Sequence, residues 1–361
     1  MSVRWVMPVP GYLDSSVFLF LFPLLECPLT FSRVDVARSL LGDCEYRPVD
    51  VFEAWAPVNI ALCKYWGKRD AALNLPVNDS LSVALPDKGT RTRVTRLQGE
   101  SKDIVFLNDQ PVSEADGFYQ KVVAHLNLFR LDRGDRFRID TVNNIATAAG
   151  LASSASGFAA LTRATAGVQG FNLDGKALSI LARVGSGSAC RSVFDGFVRW
   201  HKGEAVDGMD SCAAPLSQVW PGLRLGVLTL TGAAKKVGSR EGMARTVETT
   251  PLYSAWPAQA EADIAILEQA IVDRDFELLG VTAEHNAMTM HATMIASWPP
   301  LLYWEPESVA VMQKVWQLRK DGVPVYLTMD AGPNVKLLFE SPVEDSIRQV
   351  FPDVEVVKLF P

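Results

Sequence analysis

Gly150-Leu-Ala-Ser-Ser-Ala-Ser-Gly157 is the stretch on which the reading of this chain turns. It follows Arg136-Phe-Arg-Ile-Asp-Thr-Val142, which alternates apolar and polar residues as a strand does, and a loop of small and polar residues over 143–150. Beyond it Phe158-Ala-Ala-Leu-Thr-Arg-Ala164 reads as a helix, with the serines placed to cap its start. Glycine and small side chains at a helix N-terminus let backbone N–H groups close around an anion, and a polyphosphate suits them best. Ser153 and Ser154 add hydroxyls for phosphate oxygens or for a magnesium ion bridging them. The same residues also permit close helix packing, so the stretch needs support from elsewhere in the chain.

Working outward, the upstream half opens with a strand over Val51–Ala61. Shorter strands follow at Ser82–Leu85, Thr90–Leu97 and Ile104–Leu107, then a helix over Ala115–Phe129. Downstream lie a short helix at Ala177–Gly185, a strand at Leu223–Leu230, and helices at Pro257–Ala270, Phe276–Met294 and Val309–Asp321. Strands Val323–Thr328 and Val335–Phe339 flank a turn near the C-terminus. The pattern is α+β, and 361 residues favour two packed domains, with the boundary near residues 225–235.

Bulk composition narrows the function class. With 48% hydrophobic and 21% charged residues the chain can bury a core. A net charge of −6 without a basic run argues against a nucleic-acid partner, so an anionic ligand must meet local cations. Five cysteines, Cys27, Cys44, Cys63, Cys190 and Cys212, show no C-x-x-C spacing, which points away from a disulfide framework or a zinc site and toward a reducing cytoplasm. The apolar run Val17–Leu25 is too short to span a bilayer, and the residues after it lack a signal-cleavage pattern. Residues 1–48 are therefore read as an extension of doubtful structure, outside the fold argument.

Three further clusters carry chemistry. Lys64-Tyr-Trp-Gly-Lys68 puts two cations and two hydrogen-bonding aromatics in one loop after a strand, which suits either an anion clamp or a solvated basic loop. Gly185-Ser-Gly-Ser-Ala-Cys-Arg191 combines hydroxyls with a guanidinium at what reads as another helix start, and Arg191 can hold a carboxylate or phosphate in a fork. Asp330-Ala-Gly-Pro-Asn334 exposes a carboxylate at the end of an apolar strand. It is a turn residue by default and a general base if the other clusters face the same cleft.

Together these motifs resemble the mevalonate diphosphate decarboxylases, a branch of the GHMP kinase superfamily. The likeness rests on Ala56-Pro-Val-Asn-Ile-Ala61 leading into Lys64–Asp70, then Leu75-Pro-Val-Asn78, Ala148–Ala155, Gly185–Ser192 and Asp330–Asn334, all in the family's order. It implies a two-domain GHMP-kinase-like fold, with a ribosomal S5-like ATP-binding domain over 49–230 and a ferredoxin-like domain over 231–361. It implies that Gly150, Leu151, Ala152, Ser153 and Ser154 hold the ATP phosphates, with magnesium near Ser153 and Ser154. It places the substrate on Tyr65, Lys68, Ser186, Ser188, Arg191, Ser239 and Arg240, and the catalytic group at Asp330 with Arg191, Asn59 and Lys64 about the reacting centre.

The implied reaction is ATP-dependent decarboxylation of mevalonate 5-diphosphate to isopentenyl diphosphate in a cytoplasmic homodimer with no membrane partner. Competing readings are a relative of the same fold that takes mevalonate 5-phosphate, a mevalonate 3-kinase, and a non-catalytic binding protein. Tyr65, Lys68 and Arg240 favour the diphosphate, because together they give a second phosphate its donors.

Overall fold

A computed structural model describes residues 31–131, 133–144, 153–231 and 237–361. Within residues 49–230 a seven-stranded, mostly antiparallel sheet is built on one long strand, β4 (Ser80–Leu97). Its neighbours on that strand are β1 (Val51–Cys63), β7 (Arg136–Asn143) and β8 (Phe197–Trp200). The small hairpin β2 (Lys68–Asp70) and β3 (Leu75–Pro76) stands apart from it. Beyond β7 lie β5 (Ile104–Leu107) and β6 (Gln110–Pro111), and beyond β8 lies β9 (Ala213–Pro215). Only β5 and β7 run parallel.

Helices α2 (Gly117–Arg130), α3 (Ser153–Gln169) and α4 (Gly175–Gly185) cover this sheet. The caps follow from sequence: the carboxylates of Asp116 and Asp174 accept the backbone N–H of Phe118 and Ala177 at 2.7 Å each. A second sheet, ordered β11-β12-β10-β13, joins β11 (Val325–Met329), β12 (Val335–Glu340), β10 (Leu223–Leu228) and β13 (Glu355–Lys358). With it come α5 (Ser239–Thr249), α6 (Trp256–Asp273), α7 (Phe276–Ile295), α8 (Pro306–Lys320) and α9 (Glu344–Val350). The largest apolar cluster runs through both halves, from Val58, Ile60 and Leu62 on β1 to Leu225 on β10 and Leu337 on β12. Thr328 on β11 donates to the Ala61 carbonyl of β1 at 3.5 Å, which brings these two strands together.

Several expectations need correction. Residues 31–48 are part of the fold: helix α1 (Arg33–Leu41) is closed by a capping box between Ser32 and Asp35 and buries Val36, Ala37 and Leu41 against Leu73, Leu128 and Ile180. The strands read separately at 82–85 and 90–97 are one strand, with Pro86-Asp-Lys88 bulging where the register jumps from Pro57↔Gly89 to Val58↔Leu85. Gly89 is needed there, because a Cβ would lie 2.2 Å from the Ala56 carbonyl oxygen. The helix start read at 185–191 is a 3-10 turn over Gly187–Val193. No helix among the described residues is long and apolar enough to cross a membrane.

Candidate active site

Asp330 follows directly on β11 and is gripped from two sides. Its Oδ1 lies 2.9 Å from Lys64 Nζ, at the end of β1, and its Oδ2 lies 3.3 Å from Lys336 Nζ on β12. Both lysines are 2% exposed at the side chain, whereas Asp330 is 29% exposed, so the carboxylate is the part of the cluster that a ligand can reach. Burial pulls the Lys64 ammonium below its usual range, and the Asp330 carboxylate opposes that pull. Lys64 Nζ also donates to the Ala61 carbonyl at 2.8 Å, and its backbone N–H donates to Asn286 Oδ1 at 2.8 Å. His291 Nε2 lies 3.2 Å from the Asp330 carbonyl oxygen, with its ring against Trp304. Burial holds His291 down at about 3, so it is a neutral ring that donates to that carbonyl.

Arg191 lies behind this pair and is 3% exposed. Its Nε and Nη2 donate to Asn59 Oδ1 at 3.3 and 3.2 Å, and Nη1 donates to Ser80 Oγ. Asn59 is fixed in turn by donating to Ser192 Oγ at 2.7 Å and to the Ser188 carbonyl at 3.3 Å. No carboxylate of the described residues comes within ion-pair distance of Arg191, although it feels the field of Asp330. A buried guanidinium held only by neutral acceptors is suited to an anion from outside the chain.

The remaining predicted ligands lie on β2, α5 and the turns after β1 and α4. Tyr65 packs its ring edge-on against Trp200, and its hydroxyl is buried with no partner. Burial raises that phenol well above its ordinary value, so it is a neutral donor. A Cβ on Gly187 would sit 2.9 Å from the Tyr65 hydroxyl, which explains a glycine in the turn between Ser186 and Ser188. Lys68 donates to Asn74 Oδ1 at 2.7 Å, and Asn74 is held by donating to the Arg183 and Val184 carbonyls at the end of α4. Burial, then the charges of Arg240 and Arg33, lower Lys68 to about 8. Ser239 and Arg240 open helix α5. Ser186 Oγ and Ser154 Oγ are 3.5 Å apart, which brings the end of α4 to the start of α3.

Gly150, Leu151, Ala152 and the side chain of Ser153 lie outside the described residues. What is described of the expected phosphate site fits a polyanion: Ser154 is exposed near the N-terminus of α3, and the first turn of that helix has no acidic residue. No group of three or more His, Cys, Asp or Glu among the described residues could hold a metal. Phosphate oxygens, water and the hydroxyls of Ser153 and Ser154 would be a donor set that magnesium accepts.

Sequence reasoning missed Lys336, His291, Asn286 and Asn74. Lys336 had a legible signal, a lone lysine in the apolar run Val335-Lys-Leu-Leu-Phe339, because a lysine buried in a strand needs a partner. The others are polar residues within helices or turns, with nothing in their neighbours to mark them.

Fold and site define a class first: an α+β protein with two main sheets, in which a partly exposed carboxylate is held by two buried lysines near a buried arginine, a setting suited to an anionic substrate. Residues 56–213 match the family model of the diphosphomevalonate decarboxylase-like N-terminal domain, and residues 226–357 match that of the mevalonate 5-diphosphate decarboxylase C-terminal domain. The chain is 38% identical over 308 residues to the diphosphomevalonate decarboxylase of Candida albicans, covering 81% of this chain and 85% of that one. Among solved structures, mevalonate diphosphate decarboxylase from Staphylococcus aureus superposes with a TM-score of 0.81 at 38% identity, covering 86% of this chain and 96% of that one. A second, MDDEF in complex with MVAPP, AMPPCP and magnesium, superposes with a TM-score of 0.80 at 39% identity, covering 86% and 97%. The chain belongs to the diphosphomevalonate decarboxylase family.

Proposed function

We propose that the protein converts mevalonate 5-diphosphate and ATP into isopentenyl diphosphate, ADP, phosphate and carbon dioxide. The observation that carries the proposal is the clamp on Asp330 between Lys64 and Lys336, with the unpaired buried Arg191 within its field. The MVAPP, AMPPCP and magnesium bound by the 39% identical relative support the choice of ligands.

In this reading the substrate's 3-hydroxyl donates to Asp330, which orients it and takes up its proton as the oxygen bonds to the γ-phosphorus and the bond to ADP breaks. Magnesium supplies charge neutralisation among the phosphate oxygens. Lys64 and Lys336 favour the ionised carboxylate and face the negative charge of transfer. Arg191 fixes the substrate carboxylate. When the C3–O bond to the new phosphate breaks, the electrons of the C1–C2 bond move into a C2=C3 double bond and carbon dioxide leaves. Tyr65, Lys68, Ser186, Ser188, Ser239 and Arg240 hold the diphosphate end, and Gly150 through Ser154 hold the ATP phosphates.

The same proposal divides the chain into two domains, which the two main sheets support, although β10 (Leu223–Leu228) belongs to the second sheet and so draws the division back from residue 230 to the segment between β9 and β10. It also includes a cytoplasmic homodimer. The free thiols of Cys44, Cys63, Cys190 and Cys212 support a reducing compartment. Exposed Val281 and Trp316, on helices joined by the bond from Trp316 Nε1 to Glu284, support a contact face.

The test is to supply Mg-ATP with mevalonate 5-diphosphate or mevalonate 5-phosphate and follow ADP and carbon dioxide together. Equal release of both, with the diphosphate preferred, is the expected result. ADP without carbon dioxide would mean a 3-kinase, and preference for the monophosphate would move the enzyme to that substrate.

A further inference from the structure

Helix α1 lies in residues that precede the family-matched region, which begins at residue 56. Its first residue, Arg33, donates from Nε to the Ala72 carbonyl at 2.7 Å, in the turn between β2 and β3. The helix is seated there by Val36, Ala37 and Leu41, which pack on Leu73 and Leu75. Those two leucines flank Asn74, the residue that holds Lys68. One apolar cluster therefore ties Arg33 to the hairpin that carries a predicted phosphate ligand.

The two terminal nitrogens of Arg33 have no hydrogen-bond partner among the described residues, and no carboxylate there lies within ion-pair distance. Asp70 is the one acid whose field reaches it. Arg33 and Arg240 oppose each other's charge, and both oppose that of Lys68. On α5, Glu241 pairs with Arg245 at 2.8 Å. Arg33, fixed on the hairpin that carries Lys68, and Arg240 at the start of α5 each add to the positive field at Lys68, and a polyanion bound there would relieve that repulsion.

We infer that Arg33 is a third cation of the diphosphate subsite, meeting the terminal phosphate of the substrate together with Lys68 and Arg240. The inference rests on the proposal that the substrate carries a diphosphate. A monophosphate is one phosphoryl group shorter and loses the group these cations would share, so Arg33 contributes to selection between the two.

The experiment compares wild type with Arg33→Gln and Arg33→Lys in the full chain. Arg33→Gln should raise KM for mevalonate 5-diphosphate by about tenfold, the loss of one charge-assisted contact, with kcat and KM for ATP within about twofold. Arg33→Lys should recover part of that loss. Removing a positive neighbour should also move the alkaline limb of KM, set by Lys68, to higher pH, and Arg33→Lys, which keeps the charge, should leave that limb in place. An Arg33→Gln enzyme with wild-type KM and an unmoved alkaline limb would overturn the inference. Calorimetry with inorganic pyrophosphate separates this from the parent proposal. Weaker pyrophosphate binding in Arg33→Gln supports the subsite even if wild type fails to turn over mevalonate 5-diphosphate, and equal binding by both proteins refutes it.

Discussion

Asp330 is held between two buried ammonium groups with part of its carboxylate exposed, which fixes an oxygen where it can accept the hydrogen bond of an alcohol that is about to be phosphorylated. Lys336→Met removes one of the two charges. We predict a fall in kcat of about 10- to 100-fold at unchanged KM, with the acid limb of kcat moving to higher pH, since a carboxylate with one cation fewer protonates more easily. A steady-state pH profile checks both changes. Lys68 makes a second prediction at this scale. Its ammonium is lowered to about 8, so it is charged at neutral pH and loses its charge as pH rises through that value. KM for the diphosphate should rise by up to about tenfold per unit above it, and Lys68→Arg should abolish that limb, because a guanidinium stays protonated. Asp330, Arg191, Lys64 and Lys68 stood out in the sequence as charged residues in turns or at strand ends, and the family resemblance, not their spacing, supplied the roles proposed for them. Asn286 did not stand out. Its role depends on Asp263, which accepts from its amide at 2.7 Å, and on the Lys64 N–H, and neither is near it in the chain.

At the scale of elements, sequence periodicity found those that bury one apolar face. It placed the seven main strands β1, β4, β5, β7 and β10 to β12 and the helices α2 to α4 and α6 to α8, within a few residues at their ends. It missed α5, whose residues Ser239-Arg-Glu-Gly-Met-Ala-Arg-Thr-Val-Glu-Thr249 bury little and which is a helix because Gly242 and Thr246 pack inward. It also passed over α1, because the apolar run before it drew the whole N-terminal region into one reading. Removing the anchor of that helix tests its place in the fold: Leu41→Ala should destabilise the protein by about 2–5 kcal/mol, measured by chemical denaturation. Gly67 supports a comparable argument. Its φ is +109°, and a Cβ there would lie 1.6 Å from the Tyr253 hydroxyl, which donates to the Trp66 carbonyl at 3.0 Å. Gly67→Ala should lower stability by about 1–3 kcal/mol and displace the loop that carries Tyr65 and Lys68.

For the whole molecule, two buried neutral histidines set the response to acid. His125 and His291 are both held at about 3 by burial. Thr162 Oγ1 donates to the Phe158 carbonyl and so accepts from His125 Nε2, which leaves His125 Nδ1 buried without a partner. The unfolded chain takes up these protons near the ordinary histidine value of about 6.5, well before the folded one does. Their contribution to stability is therefore intact above that value and falls as pH drops toward 3. Unfolding free energies measured between pH 7 and 4 should fall less steeply for His125→Gln than for wild type, by about 1.4 kcal/mol per unit below pH 6. An identical slope would show that His125 takes up its proton in the folded state.

The central claim is that Asp330 receives the 3-hydroxyl of a bound diphosphate, and the most direct measurement is rapid-quench turnover of Asp330→Asn beside calorimetry of its ligands. The account predicts mevalonate 5-diphosphate and ATP bound within about threefold of wild type, with ADP and carbon dioxide formation both slowed by about a thousandfold or more. Near-normal ADP release by Asp330→Asn would contradict it.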